Sequence, residues 1–332
     1  MNLGLENNFK NKNILITGGL GFIGSTLAIK LVECGAKVTL FDSMIEGYGG
    51  NLFNIEKIKD QVTVNFADIR DQVVMNYLVR EKDYIFHLAA QVSHIMSLTN
   101  PFPDIDINIK GTAVILEACK KFNKDAVIIR TGTRGQYGSV KLLPVNEEAH
   151  TYPKGIYEVS QLTSEKLMQV YNDIHKLKCV MLRLTNIYGP RAQMRSSHFG
   201  VVNWFVRLAI DKEMIKVFGS GKIKRDFVYI DDCVDGILKT AENGDCYGEI
   251  FNIGDENPSN FLELAEIICE LEPNAKWEFA PFTEERAAQE PGDFYSDISK
   301  INSFTSWRPK VELKEGLKKT IEFYKKNKQY YW

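Results

Sequence analysis

The sequence predicts an α/β protein with a Rossmann-type, doubly wound parallel sheet and a smaller C-terminal α/β lobe. Short apolar runs alternate with longer segments of helical spacing through the first half of the chain, as in parallel sheets covered by helices on both faces. A glycine-rich turn joins the first strand to the first helix. From about residue 186 the alternation breaks, which predicts a second lobe.

Six apolar runs are expected to form the strands of the main sheet. They are Asn13–Thr17, Lys37–Phe41, Val62–Ala67, Tyr84–Leu88, Ala126–Thr131 and Cys179–Leu184. Later in the chain, short strand-like pieces precede two helical stretches. These segments are Ile215–Phe218, Phe227–Tyr229 and Ile250–Ile253, then Phe261–Leu271 and Lys314–Asn327. We therefore expect residues 10–185 to form the Rossmann domain, with 225–255 returning to it and 186–224 and 256–332 forming the second lobe.

The composition is that of an ordinary globular protein and argues against several classes of partner. The 332 residues are 44% hydrophobic and 25% charged, with a formal net charge of −2, which gives no reason to expect nucleic acid or an anionic membrane as partner. No stretch approaches the ~20 apolar residues of a membrane span, and the polar residues 1–12 do not resemble a signal peptide. The six cysteines form no C-x-x-C pair, so we expect reduced thiols, no metal and a cytoplasmic location.

The glycine-rich turn predicts a dinucleotide site. Gly18, Gly21, Phe22, Ile23 and Gly24 belong to the turn that follows the first strand, and the helix-like segment Ser25–Glu33 comes next. Glycines let the backbone approach a pyrophosphate, and a helix N-terminus supplies free N–H groups and the positive end of its dipole.

The second strand ends at an acidic residue that favours NAD over NADP. Asp42 lies 18 residues after Gly24, where a carboxylate accepts hydrogen bonds from the adenosine ribose. Its negative charge would repel the 2′-phosphate of NADP. We therefore expect NAD as the cofactor.

Several motifs, spread in order over nearly the whole chain, resemble those of one superfamily. They are the segments at 17–24 (TGGLGFIG), 67–71 (ADIRD), 87–91 (HLAAQ), 108–112 (NIKGT), 184–190 (LTNIYGP), 225–232 (RDFVYIDD), 251–254 (FNIG) and 307–310 (WRPK). With these motifs the sequence resembles the extended short-chain dehydrogenase/reductases. More narrowly, it is similar to the NAD-dependent nucleotide-sugar epimerases and dehydratases.

The resemblance implies a role for individual residues. On the cofactor side, Asp68 and Ile69 would flank the adenine, while Leu88, Ala89 and Ala90 would line the nicotinamide half. Asn108 would support the sheet end beside the catalytic strand. On the substrate side, Asn186 and Arg225 would hold the diphosphate of a nucleotide sugar, Phe218 would pack near its base, and Gln91 would contact the substrate. The chemistry suits the phosphates, since a guanidinium donates bidentate hydrogen bonds to them. The resemblance also implies a homodimer packed through helices near Ile105–Phe122 and Glu158–His175.

The resemblance further implies a catalytic pair. In this superfamily a tyrosine takes the proton of a sugar hydroxyl while hydride moves to the nicotinamide, and a serine or threonine hydrogen-bonds the same oxygen. Tyr157 and Thr133 match these positions. A tyrosine with an ordinary pKa near 10 needs a shift of roughly three units, or about 4 kcal/mol, to act as a base near pH 7.

The chain departs from the pattern at the residue that usually supplies this shift. Relatives carry a lysine four residues after the tyrosine, one helical turn along, whereas this chain has Gln161. At an effective dielectric near 20, a unit charge 4 to 5 Å away contributes roughly 3 to 4 kcal/mol. Gln161 can hydrogen-bond the nicotinamide ribose but carries no charge. Arg134 and Lys154 are candidates for the missing cation, and otherwise we expect slow turnover or a shift to high pH.

Two further departures bear on the reaction and the substrate. Dehydratases of this group place an acid pair after the threonine, but Thr133 is followed here by Arg134 and Gly135. This favours an epimerase that acts through a transient 4-keto sugar. Glu290 stands where relatives often carry an arginine that contacts the nucleotide, a role that Arg286 is a candidate to fill. A dehydratase, a ketoreductase and a catalytically impaired nucleotide-sugar-binding protein remain the alternatives.

Overall fold

The computed structural model describes residues 8–282 and 290–332, so Arg286 lies outside the described residues. The strands are β1 (Asn13–Thr17), β2 (Lys37–Asp42), β3 (Val62–Phe66), β4 (Tyr84–His87), β5 (Val127–Thr133), β6 (Lys178–Leu184), β7 (Asn186–Tyr188), β8 (Met214–Phe218), β9 (Lys224–Arg225), β10 (Phe227–Tyr229), β11 (Ile250–Ile253), β12 (Ser259–Asn260) and β13 (Lys276–Ala280). The α-helices are α1 (Phe22–Glu33), α2 (Gln72–Leu78), α3 (His94–Thr99), α4 (Gly111–Phe122), α5 (Ile156–His175), α6 (Val201–Asp211), α7 (Ile230–Glu242), α8 (Phe261–Leu271), α9 (Ser299–Thr305) and α10 (Leu313–Asn327).

Seven of the strands form one parallel sheet. Their order is β11-β6-β5-β4-β1-β2-β3, and every pairing in the sheet is parallel. The chain runs outward from β1 in both directions, to β2 on one side and to β4 on the other. Such a reversal opens a crevice at the carboxyl ends of the strands, where ligands bind in open α/β sheets. The predicted Rossmann-type fold is confirmed.

Helices cover both faces of this sheet because alternate strand residues point to opposite sides. On one face Leu15 packs in a buried cluster with Ile115 of α4 and Met168 of α5. On the other face Ile16 packs in a second cluster with Ile237 of α7, and this cluster extends into the C-terminal lobe. The site at the strand ends therefore rests on a core that is packed from both sides.

Two strands bear on the position of the site, and only β5 differs from the sequence-based expectation. Strand β5 continues to Thr133, two residues beyond its predicted end at Thr131, so the predicted catalytic threonine is the last residue of a sheet strand. Strand β11 joins the edge of the sheet beside β6, although more than sixty residues separate the two in the chain. The proposed division into residues 10–185 with 225–255, and 186–224 with 256–332, remains a prediction.

The C-terminal lobe is built around a short parallel pair and the helices packed on it. Strand β8 pairs with β13, and α6, α8 and α10 contact one another beside this pair. Among the described helices, none is both long enough and apolar enough to cross a membrane.

Candidate active site

A cavity of about 930 Å³ opens at the carboxyl ends of the sheet strands, between the sheet and the C-terminal lobe. Most of the residues predicted to form the site line it. They are Gly18, Gly21, Phe22, Ile23, Gly24, Asp42, Asp68, Ile69, Leu88, Ala89, Ala90, Thr133, Tyr157, Gln161, Asn186 and Arg225. One cavity thus brings together residues from the predicted cofactor and substrate halves.

The structure does not bring two of the predicted substrate residues to this cavity. The Gln91 side chain is buried and donates a hydrogen bond to Asp104 Oδ2 at 3.0 Å. Its amide group is therefore bonded within the protein and does not face the cavity. Phe218 ends β8, and its ring lies 5.9 Å from that of Phe282. Phe261 contributes the aromatic wall of the cavity instead, and no motif in the sequence pointed to it.

The glycine turn fits a pyrophosphate. Gly18 has a φ of +68°, and a Cβ there would lie 2.9 Å from the Ala89 backbone nitrogen. A Cβ on Gly24 would lie 2.2 Å from the Gly18 carbonyl oxygen, so α1 packs on β1 too closely for any side chain. The first intrahelical bond runs from Ser25 N to the Gly21 carbonyl at 3.0 Å. The N–H groups of Phe22, Ile23 and Gly24 therefore need partners from outside the helix, as an anion site requires.

Two carboxylates lie farther along the cofactor side of the cavity. Asp42 accepts hydrogen bonds from the backbone N–H groups of Leu20 and Met44, both at 3.0 Å, and burial raises its pKa above the ordinary value. Asp68 is held by Arg70 through two side-chain hydrogen bonds of 2.8 and 2.7 Å, and this guanidinium lowers the pKa of Asp68. Both side chains are fixed by the protein before any ligand binds.

The predicted catalytic pair meets at the centre of the cavity. Tyr157 lies in the first turn of α5, only 8% exposed, and it lines the cavity together with Thr133 at the end of β5. Burial raises the pKa of Tyr157, as does the carboxylate of Glu158, whereas Arg130 and Thr133 act to lower it. Thr133 Oγ1 also accepts a hydrogen bond from Gly135 N at 3.1 Å, which fixes its orientation at the start of the following turn.

Gln161, one helical turn after Tyr157, contacts a residue that sequence analysis did not single out. Its Oε1 accepts a hydrogen bond of 2.9 Å from Arg130 Nη1. Arg130 lies in the middle of β5 and is 3% exposed. The sequence did carry a signal for Arg130, which is the one charged residue in the predicted strand Ala126–Thr131. Buried strands rarely carry a cation, so a charge at this position indicates a special role.

Glu158 is a second functional candidate that the motifs did not reveal. It is 9% exposed, lines the cavity beside Tyr157, and lies 2.5 Å from His94 Nδ1 through its Oε1. Its Oε2 is buried and has no hydrogen-bond partner among the described residues. A Cβ on Gly135 would lie 2.6 Å from Glu158 Cγ, so Glu158 occupies the space that a side chain at position 135 would need.

The predicted phosphate-binding side carries two cations and a carboxylate. Arg225 is 2% exposed and is paired with Glu290, and it also donates to the Gly292 carbonyl at 2.6 Å. Arg134 lines the same part of the cavity, where burial and the nearby charge of Arg225 lower its pKa to about 10. The pair of guanidiniums suits a diphosphate, while Glu290 competes with it for Arg225.

Sheet topology, glycine turn and the Tyr157–Thr133 pair together define a Rossmann-type protein of the short-chain dehydrogenase/reductase class. Residues 15–320 match the family model described as GDP-mannose 4,6 dehydratase. The putative UDP-glucose 4-epimerase of Methanocaldococcus jannaschii is 32% identical over 95% of this chain and 99% of its own. The chain belongs to the family of NAD-dependent nucleotide-sugar epimerases and dehydratases within the extended short-chain dehydrogenase/reductases.

Solved structures support the same assignment. The UDP-glucose 4-epimerase of Thermotoga maritima, solved with UDP-glucose, has a TM-score of 0.86 and 32% identity, covering 95% of this chain and 99% of that one. The dTDP-glucose 4,6-dehydratase of Bacillus anthracis, solved with NAD, has a TM-score of 0.84 and 25% identity, covering 96% and 98%. Curated relatives also include UDP-glucuronic acid decarboxylases of Arabidopsis thaliana. The relatives of this chain are thus epimerases, dehydratases and decarboxylases of nucleotide sugars.

Proposed function

We propose that this protein is an NAD-dependent nucleotide-sugar epimerase that acts through a transient 4-keto sugar. The observation that carries the proposal is that Tyr157 and Thr133 line one cavity together with the glycine turn and the cationic residues Arg134 and Arg225, with Thr133 near enough to lower the pKa of Tyr157. A sugar held there has its reacting hydroxyl beside Tyr157 and its diphosphate near Arg134 and Arg225.

NAD is the cofactor that the site fits, and it is the dinucleotide held by solved relatives. The unpartnered N–H groups at the start of α1 would hold the pyrophosphate, Asp42 the adenosine ribose, and Asp68 with Ile69 the adenine. When bound, NAD accepts a hydride from the sugar carbon and returns it, with no net redox change.

The chain's own residues move the proton and hold the sugar in this proposal. The Tyr157 oxygen takes the hydroxyl proton as the hydride leaves and gives it back as the hydride returns, and Thr133 orients the same oxygen. Asn186 and Arg225 hold the diphosphate, so that the sugar can present either face while its nucleotide stays fixed. Gln161 hydrogen-bonds the nicotinamide ribose.

A 4,6-dehydratase is the second candidate, and Glu158 is the observation that favours it. Loss of water from a sugar needs a group that protonates the leaving hydroxyl, and the Arg134-Gly135 turn provides no acid. The structure instead brings Glu158 from α5 into this space and pairs it with His94. A carboxylate with one unpartnered oxygen beside Tyr157 can exchange the proton that elimination requires.

The experiment is product analysis of the purified protein with a panel of UDP-, dTDP-, GDP- and CDP-sugars. An epimerase gives a product of unchanged mass and keeps its NAD in the oxidised form, a dehydratase gives a product lighter by one water, and a ketoreductase consumes reduced cofactor stoichiometrically. Tyr157→Phe is expected to abolish turnover. In an epimerase Glu158→Gln retains most of the activity, whereas in a dehydratase it abolishes water loss. Tight nucleotide-sugar binding without any product would replace both candidates by a binding protein.

We also propose that the protein is a homodimer. Val159, Val170 and Ile174 are 47%, 46% and 68% exposed on one face of α5, and we call them the apolar stripe, although Thr163 and Lys166 lie between the first two. Their spacing of eleven and four residues places them on one helix face. In a homodimer the stripe of one subunit can pack on the same stripe of a second subunit, so that both apolar surfaces are covered.

A further inference from the structure

The place of the usual lysine is filled here by a neutral side chain that contacts a buried cation. Gln161 is 1% exposed, and its Oε1 accepts the 2.9 Å hydrogen bond from Arg130 Nη1. The two residues lie 31 positions apart, one on β5 and one on α5. Because Oε1 faces Arg130, the amide nitrogen of Gln161 remains as a donor on its other side.

Among the described residues Arg130 forms no ion pair of its own, and the nearby Glu165 carboxylate, which acts on its pKa, is paired with Arg183. The hydrogen bonds of Arg130 go to uncharged acceptors, namely Thr112 Oγ1 at 3.2 Å, the Thr131 carbonyl at 2.9 Å and Gln161. Over residues 8–282 and 290–332, no carboxylate forms an ion pair with it. The neighbouring Arg183, by contrast, is paired with Glu165 at 2.7 Å. An unpaired guanidinium inside a protein is costly, and this one contacts Gln161, which lines the cavity, so its charge indicates a functional role.

A hydrogen-bond network holds Arg130 in place. The Thr112 hydroxyl donates to the Asn108 carbonyl at 2.6 Å, so its oxygen accepts from both Arg130 Nε and His87 Nε2. His87 Nδ1 then accepts from the Thr17 hydroxyl at 3.0 Å, which leaves this histidine neutral. Burial lowers the pKa of His87 well below the ordinary value, and the charge of Arg130 lowers it further. The network therefore keeps Arg130 as its cation.

We propose that Arg130 and Gln161 together replace the missing lysine. Arg130 supplies the positive charge that favours the Tyr157 tyrosinate. Gln161 supplies the hydrogen bond to the nicotinamide ribose. Arg130 is thus a positioning residue that acts through Tyr157 and Gln161. The inference rests on the proposed role of Tyr157 at the reacting hydroxyl.

Other charged groups that face Tyr157 do not supply the cation. Glu158 follows it on α5, and Asp104 faces it from the π-helix Asp104–Lys110; both raise its pKa. The His94 ring packs edge-on at 4.7 Å and is committed to Glu158. Arg134, a candidate from sequence, is grouped instead with Arg225, Asp226 and Glu290.

The arrangement also explains why a lysine would not suit position 161. A lysine ammonium there would face the Arg130 guanidinium in a buried site, and two like charges without a carboxylate repel strongly at low dielectric. Restoring the family residue alone is therefore expected to harm this protein. Only the simultaneous removal of Arg130 makes room for it.

The test is the titration of Tyr157 in the full-length protein, with NAD bound and after its removal. Tyrosine labelled with carbon-13 at the ζ position gives an NMR signal for each ring, and Tyr157→Phe identifies the one of interest. Arg130→Met is expected to raise the Tyr157 pKa by about one to two units and to move the rising limb of the kcat/KM pH profile to higher pH by the same amount. Arg130→Lys keeps most of the charge and is expected to restore both.

The double variant provides a second, independent arm. Gln161→Lys alone is expected to lower the melting temperature and the activity, while Arg130→Met with Gln161→Lys returns the Tyr157 pKa to its wild-type value. Lys82→Met is the matched control, because it removes a half-buried cation at the opposite end of β4. An unchanged Tyr157 pKa in folded Arg130→Met overturns the inference. If Arg130→Met does not fold, a gain in activity from Gln161→Lys alone overturns it instead. If the Tyr157 pKa changes as expected in these variants but the protein forms no product from any nucleotide sugar, only the proposed function is refuted.

Discussion

At the scale of single residues, the contact between Arg225 and Glu290 is expected to weaken the binding of the nucleotide-sugar substrate that we propose. The guanidinium donates to the carboxylate and to the Gly292 carbonyl, so a diphosphate must replace charge-assisted bonds that already exist. Such bonds are about twice as strong as neutral ones. Glu290 therefore acts as an internal competitor for the nucleotide, and its charge repels the phosphates as well.

Glu290→Gln is expected to tighten the binding of UDP and dTDP about tenfold, equivalent to ~1.4 kcal/mol. The amide removes the negative charge but still accepts a hydrogen bond from Arg225, so the loop keeps a similar contact. Isothermal titration calorimetry measures the change. Glu278→Gln, on an exposed part of β13, is the control and should leave both affinities unchanged. Equal or weaker binding by Glu290→Gln would show that Arg225 does not hold the diphosphate.

Site residues could be identified from the sequence where they lie close together along the chain, and could not where they meet only through the fold. Gly18, Gly24 and Asp42 belong to one strand-turn-helix-strand unit, so spacing alone placed them correctly around the cavity. Arg130 and Glu158 meet the site through contacts between β5, α3 and α5, and no short motif encodes such contacts. Because these contacts cannot be read from the sequence, the sequence offers Arg134 and Lys154 as the cation and does not single out Arg130.

At the scale of elements, the start of α1 shows how packing and ligand binding share one constraint. Gly24 lets α1 approach the Gly18 carbonyl, and this approach aims the first N–H groups of the helix into the cavity. The same short distance leaves no space for a methyl group. Fold stability and cofactor affinity should therefore fall together when this position changes.

Gly24→Ala is expected to cost about 1–3 kcal/mol of unfolding free energy, as overpacked sites do, and to weaken NAD binding. Chemical denaturation measures the first quantity and NAD titration the second. Gly244→Ala is the matched control, because the nearest atom to its added Cβ is Tyr247 Cε2 at 3.9 Å. Wild-type stability in Gly24→Ala would contradict the close packing of α1 on β1.

The elements were predictable where the hydrophobic pattern is regular. The bounds of β1, β10, β11 and α8 agree with the predicted segments, and the other main-sheet strands differ by one or two residues at one or both ends. The segment before α4 could not be foreseen, since Asp104–Lys110 is a π-helix with the polarity pattern of an ordinary helix. Its wider turn places Asn108 so that its Nδ2 donates to the Gln91 carbonyl at 3.0 Å and to Ser160 Oγ at 2.9 Å. π-turns of this kind often occur at functional sites.

At the scale of the whole molecule, helix α5 joins the active site to the proposed dimer interface. One side of its first turn carries Tyr157 and Gln161, both buried, while the apolar stripe of Val159, Val170 and Ile174 faces outward. A partner packed on the stripe would hold the helix against the sheet. Assembly and the position of the catalytic tyrosine are therefore expected to be coupled.

Ile174→Glu is expected to convert the proposed dimer to a monomer, because a charge would be buried within the contact. Sedimentation equilibrium or light scattering gives the mass directly. Val73→Glu is the control, since Val73 is 79% exposed on α2, away from the stripe. A dimer that persists when both Val170 and Ile174 are replaced by glutamate would place the interface elsewhere.

The hydrogen bond between Arg130 and Gln161 also constrains how this sequence can change over generations. Starting from this chain, replacing Gln161 by lysine gives two buried cations, and replacing Arg130 by an apolar residue gives none. Each single step passes through an impaired protein, and only the two changes together reach the usual family arrangement. If the proposed roles of Arg130 and Gln161 hold, we expect the site to be an evolutionary local optimum, separated from the usual family arrangement by a fitness valley rather than by any difference in the overall architecture.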